Sequence, residues 1–199
     1  KMENYEDLIA RINKWMNKAA ESEPNDPNAA CICTATKDGR PSARMVLIKN
    51  IHPERHIVFY TNHTSRKADE LLENPYAAMT IHWKTTGRQI RLEGQVEVVS
   101  DEEADHYFSR RSRGSQIGAW ASDQSSPLDS REELEKRYHD IETQYEGKEI
   151  PRPPHWSGFR IIPFRIEFWQ DGAYRLHNRE VFEPCTDSSR KWSRTLLNP

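Results

Sequence analysis

Between Arg44 and Lys67 the sequence RMVLIKNIHPERHIVFYTNHTSRK sets five Lys or Arg residues against one acid, Glu54. The cations fall at the ends of apolar runs and at a helix start, beside the hydroxyls of Thr61, Thr64 and Ser65. Fixed cations with neighbouring hydroxyls and backbone N–H groups suit a small dianion such as a phosphate monoester. The same pattern also suits a solvated hairpin whose charges keep its edges soluble.

Further cations recur along the chain, at Arg110, Arg111 and Arg113 and again at Arg175, His177 and Arg179. With them come Gln89, Gln116, Gln124, Ser115 and Ser125, and the aromatic Tyr60, Tyr107 and Trp169. Two phosphorylated aromatic molecules held together would need two cationic cradles, amides for ring heteroatoms and a flat apolar wall. Taken singly, each arginine also reads as solvated surface. The run Arg175-Leu176-His177-Asn178-Arg179 is expected to be a strand, with its three basic groups on one face. They would then need an anion or electron-rich ring against them, or pairing with Glu167, Glu180 or Glu183.

Other chemistries lack their signatures. G-x-G-x-x-G, a phosphate-binding Walker loop, G-x-S-x-G and H-E-x-x-H are all missing, and the eight histidines do not cluster at ligand spacing, so no metal is expected. A net charge of −2 argues against a general nucleic-acid binder. No apolar run approaches the ~20 residues needed to span a bilayer, and no signal-peptide pattern is seen. Cys31, Cys33 and Cys185, an odd number without zinc spacing, point to a reduced, cytoplasmic setting.

The elements that must carry these groups follow from periodicity. Tyr5, Leu8, Ile9, Ile12, Trp15, Met16 and Ala19 make residues 3–20 an amphipathic helix. Strands are expected at 29–36 and 42–49 around an Asp38-Gly39 turn, then near Val58 and Tyr60. A short helix follows over 65–73, then strands at 76–84 and 88–100, the last burying Ile90, Leu92, Val96 and Val98. Ser100 with Glu103 and Ser130 with Glu133 are capping boxes for two more helices. The stretch between them, residues 109–130, reads as a long functional connection. Strands at 158–170, 173–177 and near Trp192 complete about eight strands and three or four helices. Hairpin connectivity predicts a mainly β, α+β domain: a mostly antiparallel closed or split barrel with peripheral helices. Only 35% of the residues are hydrophobic, which favours an oligomer with a shared interface.

Several longer motifs together resemble the pyridoxine (pyridoxamine) 5'-phosphate oxidase family. They are RMVLIK (44–49), FYTNHTSRK (59–67), GRQIRLEG (87–94), YFSRRSRGSQIGAWAS (107–122), QSS (124–126), EFWQ (167–170) and RLHNR (175–179). The resemblance implies one FMN-binding split-barrel domain over 1–199, with an N-terminal helix in 1–22, working as a homodimer with FMN at the subunit interface. It implies FMN contacts from Arg44, Met45, Val46, Leu47, Ile48 and Lys49 in the first motif. Tyr60, Thr61, Ser65, Arg66 and Lys67 would contribute from the second, and Gln89, Gln124, Ser125, Trp169 and Arg179 from the others. Lys49, Tyr107, Arg111 and Ser115 fall where the family grips the substrate phosphate, and Arg175 and His177 beside the ring being oxidised. The implied reaction converts pyridoxamine or pyridoxine 5'-phosphate to pyridoxal 5'-phosphate by hydride transfer to flavin, with O2 then giving H2O2. Alternatives are a non-catalytic FMN or pyridoxal-phosphate binder and a flavin oxidase acting on another aromatic, such as a phenazine precursor. Three departures stand out: Asn178 where the family usually has Asp, the ending Thr195-Leu196-Leu197-Asn198-Pro199, and a short N-terminal region.

Overall fold

The computed structural model describes residues 2–187 and 189–199. Six antiparallel strands close into a barrel in the order β2 (Ala29–Ala35), β3 (Pro41–His52), β4 (His56–Asn62), β7 (Trp156–Gln170), β6 (Arg88–Val98), β5 (Tyr76–Trp83) and back to β2. Closure removes the open edges that a sheet of this size would otherwise expose.

The barrel is split because β7 is longer than its neighbour. Along one edge it pairs with β6 for nearly its whole length. Along the other, Trp156–Ile161 pair with β4, and Ile166–Gln170 pair with β8 (Asn178–Pro184). β8 leads to β9 (Lys191–Leu196), and β9 to β1 (Met2–Asn4), as a side sheet. Strand β1 is not legible in the helical periodicity of residues 3–20, because three residues carry no period of their own. Helix α1 (Tyr5–Ala20) follows it and buries Leu8, Ile9, Ile12, Trp15 and Ala19, the expected stripe.

The core runs through the barrel from Ile32 and Phe59 to Ile90, Phe159 and Phe168. Strand β6 alternates as expected up to Val96, but Val98 is exposed and Val99 is buried instead. There the chain leaves the sheet for α3 (Asp101–Ser109), and Val99 packs with Val58 and Ala104. Both serine caps form: Ser100 Oγ accepts from Glu103 N–H, and Ser130 Oγ from Glu133 N–H at the start of α5 (Arg131–Gln144). The 109–130 connection is not all loop, since Arg113–Ala121 form α4, which packs against α5. Among the described residues, nine strands and five α-helices, with α2 at Arg66–Glu73, thus stand against an expectation of about eight and three or four. No helix among the described residues is long and apolar enough to cross a membrane.

Candidate functional site

Strands β3 and β4 pair only from Ile48 to His52. Over Pro41–Leu47 β3 has β2 as its ladder partner, so among the described residues the β4-facing edge of Arg44–Leu47 carries no strand. Unpaired backbone N–H and C=O groups on such an edge are free for a ligand. Val46 and Ile48 pack toward the core, whereas Met45 and Leu47 face outward and are exposed. Lys49 is the extra residue of a bulge between Ile48 and Asn50 and is exposed. Bulges of this kind re-aim a side chain.

Helix α2 sits over the barrel end next to this edge. Its Glu70 is buried and accepts from Thr34 Oγ1 at 2.6 Å and Ser42 Oγ at 2.6 Å. Arg66 Nε reaches it at 3.2 Å and Arg44 Nη2 at 3.6 Å. Burial alone would push the Glu70 carboxyl up, but bonds from Ser42, Thr34 and Arg66 outweigh it and hold the group below the usual carboxylate range.

Lys67, one residue on from Arg66, is buried as well, with its ammonium 3.0 Å from Thr61 Oγ1 and 3.5 Å from Ser65 Oγ. No carboxylate pairs with it among the described residues. Burial, and then the nearby Arg44, push its pKa down to about 8. A buried ammonium held by two hydroxyls at a helix N-terminus is the donor set of a phosphate cradle. Thr61 in turn donates to Gln124 Oε1 at 2.9 Å, which also accepts from Asn62 N–H. Ser125, exposed beside Gln124, has a left-handed φ of 71°.

Beyond Thr61 the site gains an aromatic wall. The rings of Tyr60 and Tyr107 stack at 3.9 Å and 5°, and Trp156 lies parallel to both. Tyr60 lies flat because its cross-strand neighbour is Gly158, where a Cβ would sit 2.8 Å from the Tyr60 ring. Burial, then Glu103 and Tyr107, push the Tyr60 hydroxyl up to about 12. A cleft of about 340 Å³ on one side is lined by Tyr60, Thr61, Arg111, Ser115, Gln124 and Trp156. Arg111 lies 4.7 Å over the Trp156 ring and bonds the Ser115 carbonyl, with no carboxylate partner among the described residues; burial lowers its pKa.

A second cleft of about 400 Å³ is lined by Lys49, Arg55, Tyr60, His106, Tyr107 and Arg110. The four residues expected around one phosphate therefore divide, Arg111 and Ser115 on one side and Lys49 and Tyr107 on the other. Tyr60 is common to both clefts.

Gln89, Trp169 and Arg179 lie elsewhere. They are directly opposed across β6, β7 and β8, so they share one face. Arg179 donates to the buried Glu167 at 2.7 Å and to Asn198 O at 3.2 Å. Arg91 approaches Glu167 at 3.7 Å. Tyr60 pairs with Gly158 and Gln89 with Trp169, eleven residues apart on β7. That is roughly 35 Å of strand at 3.2–3.4 Å per residue.

Residues 173–177 are not a strand. Ala173–Arg175 form a 3-10 turn in which Tyr174 and Arg175 have φ of 57° and 63°, and β8 begins only at Asn178. Arg175, His177 and Arg179 therefore do not share a strand face. Arg175 is exposed, the His177 ring packs 4.6 Å from Trp169, and of these three basic residues it is Arg179 that pairs with Glu167. Of the other acids weighed, Glu180 binds Arg11 and Arg194, and Glu183 binds Arg165. Sequence reading missed Glu70 and Asp171. Arg66 and Glu70 at i,i+4 spacing was the available signal for the first.

A closed antiparallel barrel split along one strand, with cationic and hydroxyl-rich clefts on its flank, defines the split-barrel fold class. Residues 16–145 match the family described as pyridoxamine 5'-phosphate oxidase, and residues 156–199 match the pyridoxine 5'-phosphate oxidase C-terminal dimerisation region. A pyridoxine/pyridoxamine 5'-phosphate oxidase of Sphingopyxis alaskensis is 52% identical over 98% of this chain and 88% of its own length. One of Gluconobacter oxydans is 53% identical over 97% and 94%. The crystal structure of PhzG from Burkholderia lata, in complex with tetrahydrophenazine-1-carboxylic acid, superposes with a TM-score of 0.88 at 34% identity, covering 96% of this chain and 92% of that one. The chain belongs to the pyridoxamine 5'-phosphate oxidase family, and it is an oxidoreductase.

Proposed function

We propose that the chain acts as a single split-barrel domain in a homodimer, binds FMN, and oxidises pyridoxamine and pyridoxine 5'-phosphates to pyridoxal 5'-phosphate. One observation carries the reading. The cradle around Lys67 and the row Gln89–Trp169–Arg179, chemically complementary halves for a phosphate-tailed ring, sit at opposite ends of β7. A second copy supplying the row to the first copy's cradle resolves this. The outward face of β3 supports such pairing, since Ala43, Met45 and Leu47 are apolar, flanked by Cys31 and Cys33, and Met45 is 62% exposed.

The residues fit FMN on their own chemistry. The buried Lys67, unpaired by any carboxylate among the described residues, would hold its phosphate with Ser65, Thr61, Arg66 and Arg44. The open β3 edge from Arg44 through Met45, Val46, Leu47 and Ile48 to Lys49 offers backbone groups alongside. Tyr60, Gln124 and Ser125 complete the first copy's share, and Gln89, Trp169 and Arg179 supply amide, wall and cation from the other. When bound, FMN supplies the two-electron acceptor for a hydride from the substrate's C4' and passes the electrons to O2, giving H2O2.

The protein's own part is to bind and orient. Arg111 and Ser115 line the cleft assigned to the substrate phosphate, and Lys49 and Tyr107 line the neighbouring cleft, with Tyr60 shared by both. Arg175 is free to lie over the substrate ring, and His177, braced on Trp169, makes a polar contact near C4'. No covalent nucleophile is required.

Purified protein, examined anaerobically, should lose its flavin absorption on addition of pyridoxamine 5'-phosphate and recover it in air with release of peroxide. Yellow protein that neither bleaches nor yields peroxide would be a binder rather than an oxidase. The superposition on PhzG gives a second reading, a flavin oxidase of another aromatic. Peroxide release with tetrahydrophenazine-1-carboxylic acid but not with a B6 phosphate would favour it. The set of Lys49, Arg111 and Ser115 suits a phosphate dianion better than a carboxylate.

A further inference from the structure

We propose that Asp171 is a positioning residue for His177. It holds the imidazole proton on Nδ1 and leaves Nε2 as a hydrogen-bond acceptor toward the substrate. The inference rests on the reading of His177 as a substrate contact.

The two residues are brought together by the loop that replaces the expected strand. Asp171 is anchored where its N–H donates to Gly87 O at 2.7 Å. The chain then turns through Tyr174 and Arg175, both left-handed, and returns His177 to Asp171. The return is so tight that a Cβ at position 172 would meet Leu176 O at 2.3 Å, so only glycine fits there. Asp171 Oδ1 ends 3.1 Å from His177 Nδ1. The following residue, Asn178, is exposed and carries no carboxylate, so the carboxylate that faces the ring is that of Asp171.

A third group decides the tautomer. The Gly172 N–H lies 3.0 Å from Asp171 Oδ1 and 3.2 Å from His177 Nδ1. It can serve either acceptor. If the imidazole carried its proton on Nε2, the Nδ1 lone pair would face the carboxylate oxygen at 3.1 Å with one N–H between them to share. With the proton on Nδ1, the ring donates to Asp171 Oδ1, the Gly172 N–H donates to the same oxygen, and no lone pairs oppose each other. A charge-assisted bond to carboxylate is also the stronger of the two available to Nδ1. Ring orientation is fixed at the same time, because the other face of the imidazole packs on Trp169. The nitrogen left for a ligand is Nε2, which then carries a lone pair. That is suited to accept a hydrogen bond from the amine or hydroxyl on the substrate carbon.

Long-range proton–nitrogen NMR of histidine-labelled, FMN-loaded protein reads the tautomer directly, with His177→Gln assigning the signal. Above the imidazole titration range, wild type is expected to show the proton on Nδ1. In Asp171→Ala the Gly172 N–H becomes the remaining partner, and in Asp171→Asn the side-chain NH2 can face Nδ1. Both variants should therefore move the proton to Nε2. A wild-type proton on Nε2, or one that stays on Nδ1 in Asp171→Ala, overturns the proposal. In steady-state assays both variants should lose turnover by about 10- to 100-fold, with KM and flavin content little changed. A switched tautomer with unchanged turnover would uphold the positioning by Asp171 and overturn the role of His177 at the substrate.

Discussion

Two buried carboxylates, Glu70 under the β3 edge and Glu167 on β7, each hold a pair of arginines, but the two places differ in what is left over. Glu167 takes Arg179 and Arg91, and Arg179 also bonds a main-chain carbonyl near the C-terminus. That half-site carries one positive charge beyond its carboxylate, with both arginines paired to Glu167, and presents an amide and an indole. Glu70 takes Arg44 and Arg66, yet beside it stands Lys67, buried and with hydroxyl partners alone among the described residues, and Arg111 lies on Trp156 with no carboxylate partner among them. Buried charge without a counter-ion is costly. Under the proposed function, the larger excess suits the first place to an anion and the second to a frame for a ring. Both share the device of a carboxylate that orients guanidinium groups before any ligand arrives.

The largest effect should separate the two directly. Arg66→Ala combined with Lys67→Ala is expected to weaken FMN binding by about 1.5–3 kcal/mol for each charged hydrogen bond lost, measured by equilibrium dialysis. Arg179→Ala should cost less, because Arg179 is already paired with Glu167 whereas Lys67 has hydroxyl partners only among the described residues; equal losses would erase the distinction. Next, Arg175→Ala should lower turnover by roughly 10- to 100-fold with flavin content retained. Parallel loss of both would remove Arg175 from its assigned place over the substrate.

Smaller effects test the carboxylates. Glu70→Gln should lower stability to urea by about 1–3 kcal/mol at neutral pH. The folded Glu70 pKa lies below its ordinary value, so its contribution is full above that ordinary value and disappears as pH falls through the folded one. The variant's deficit should shrink over the same acid range, and a deficit independent of pH would contradict the assignment.

The mildest test is alkaline. Lys67 is depressed to about 8, so its charge costs folding stability below that pH, and the cost fades as pH rises from about 8 toward the ordinary lysine value. A bound anion needs the ammonium. Affinity of the flavin-free protein for FMN should therefore fall about tenfold per pH unit above about 8, and Lys67→Met should abolish that dependence.

Much of this was legible in the chain where the signal is local. Alternation placed β2 to β6, the helical stripe placed α1, and the two serine caps fixed the starts of α3 and α5. Legibility failed where contacts are distant or local rules mislead. Gly114 and Gly118 disguise α4, which gains its support by packing on α5. Arg175-Leu176-His177 alternates like a strand, but the chain turns back at two non-glycine residues with positive φ, which no pattern announces. Glu70 looks like a surface partner for Arg66 at i,i+4. Its burial comes from Thr34 and Ser42, some thirty residues earlier in the chain. Asp171 reads as a turn former, and only the folded loop brings His177 to it.

That a complete site needs both subunits is tested most directly by mixing two inactive chains. One carries Arg66→Ala and Lys67→Ala, the other Gln89→Ala and Arg179→Ala. Each alone should bind little FMN. If the cradle of one chain meets the row of the other, a mixed dimer places both defects in one site and leaves its second site intact. Random mixing after subunit exchange should then restore about one quarter of wild-type flavin and activity. No restoration, with dimers shown to have exchanged, would mean that each chain builds its site alone.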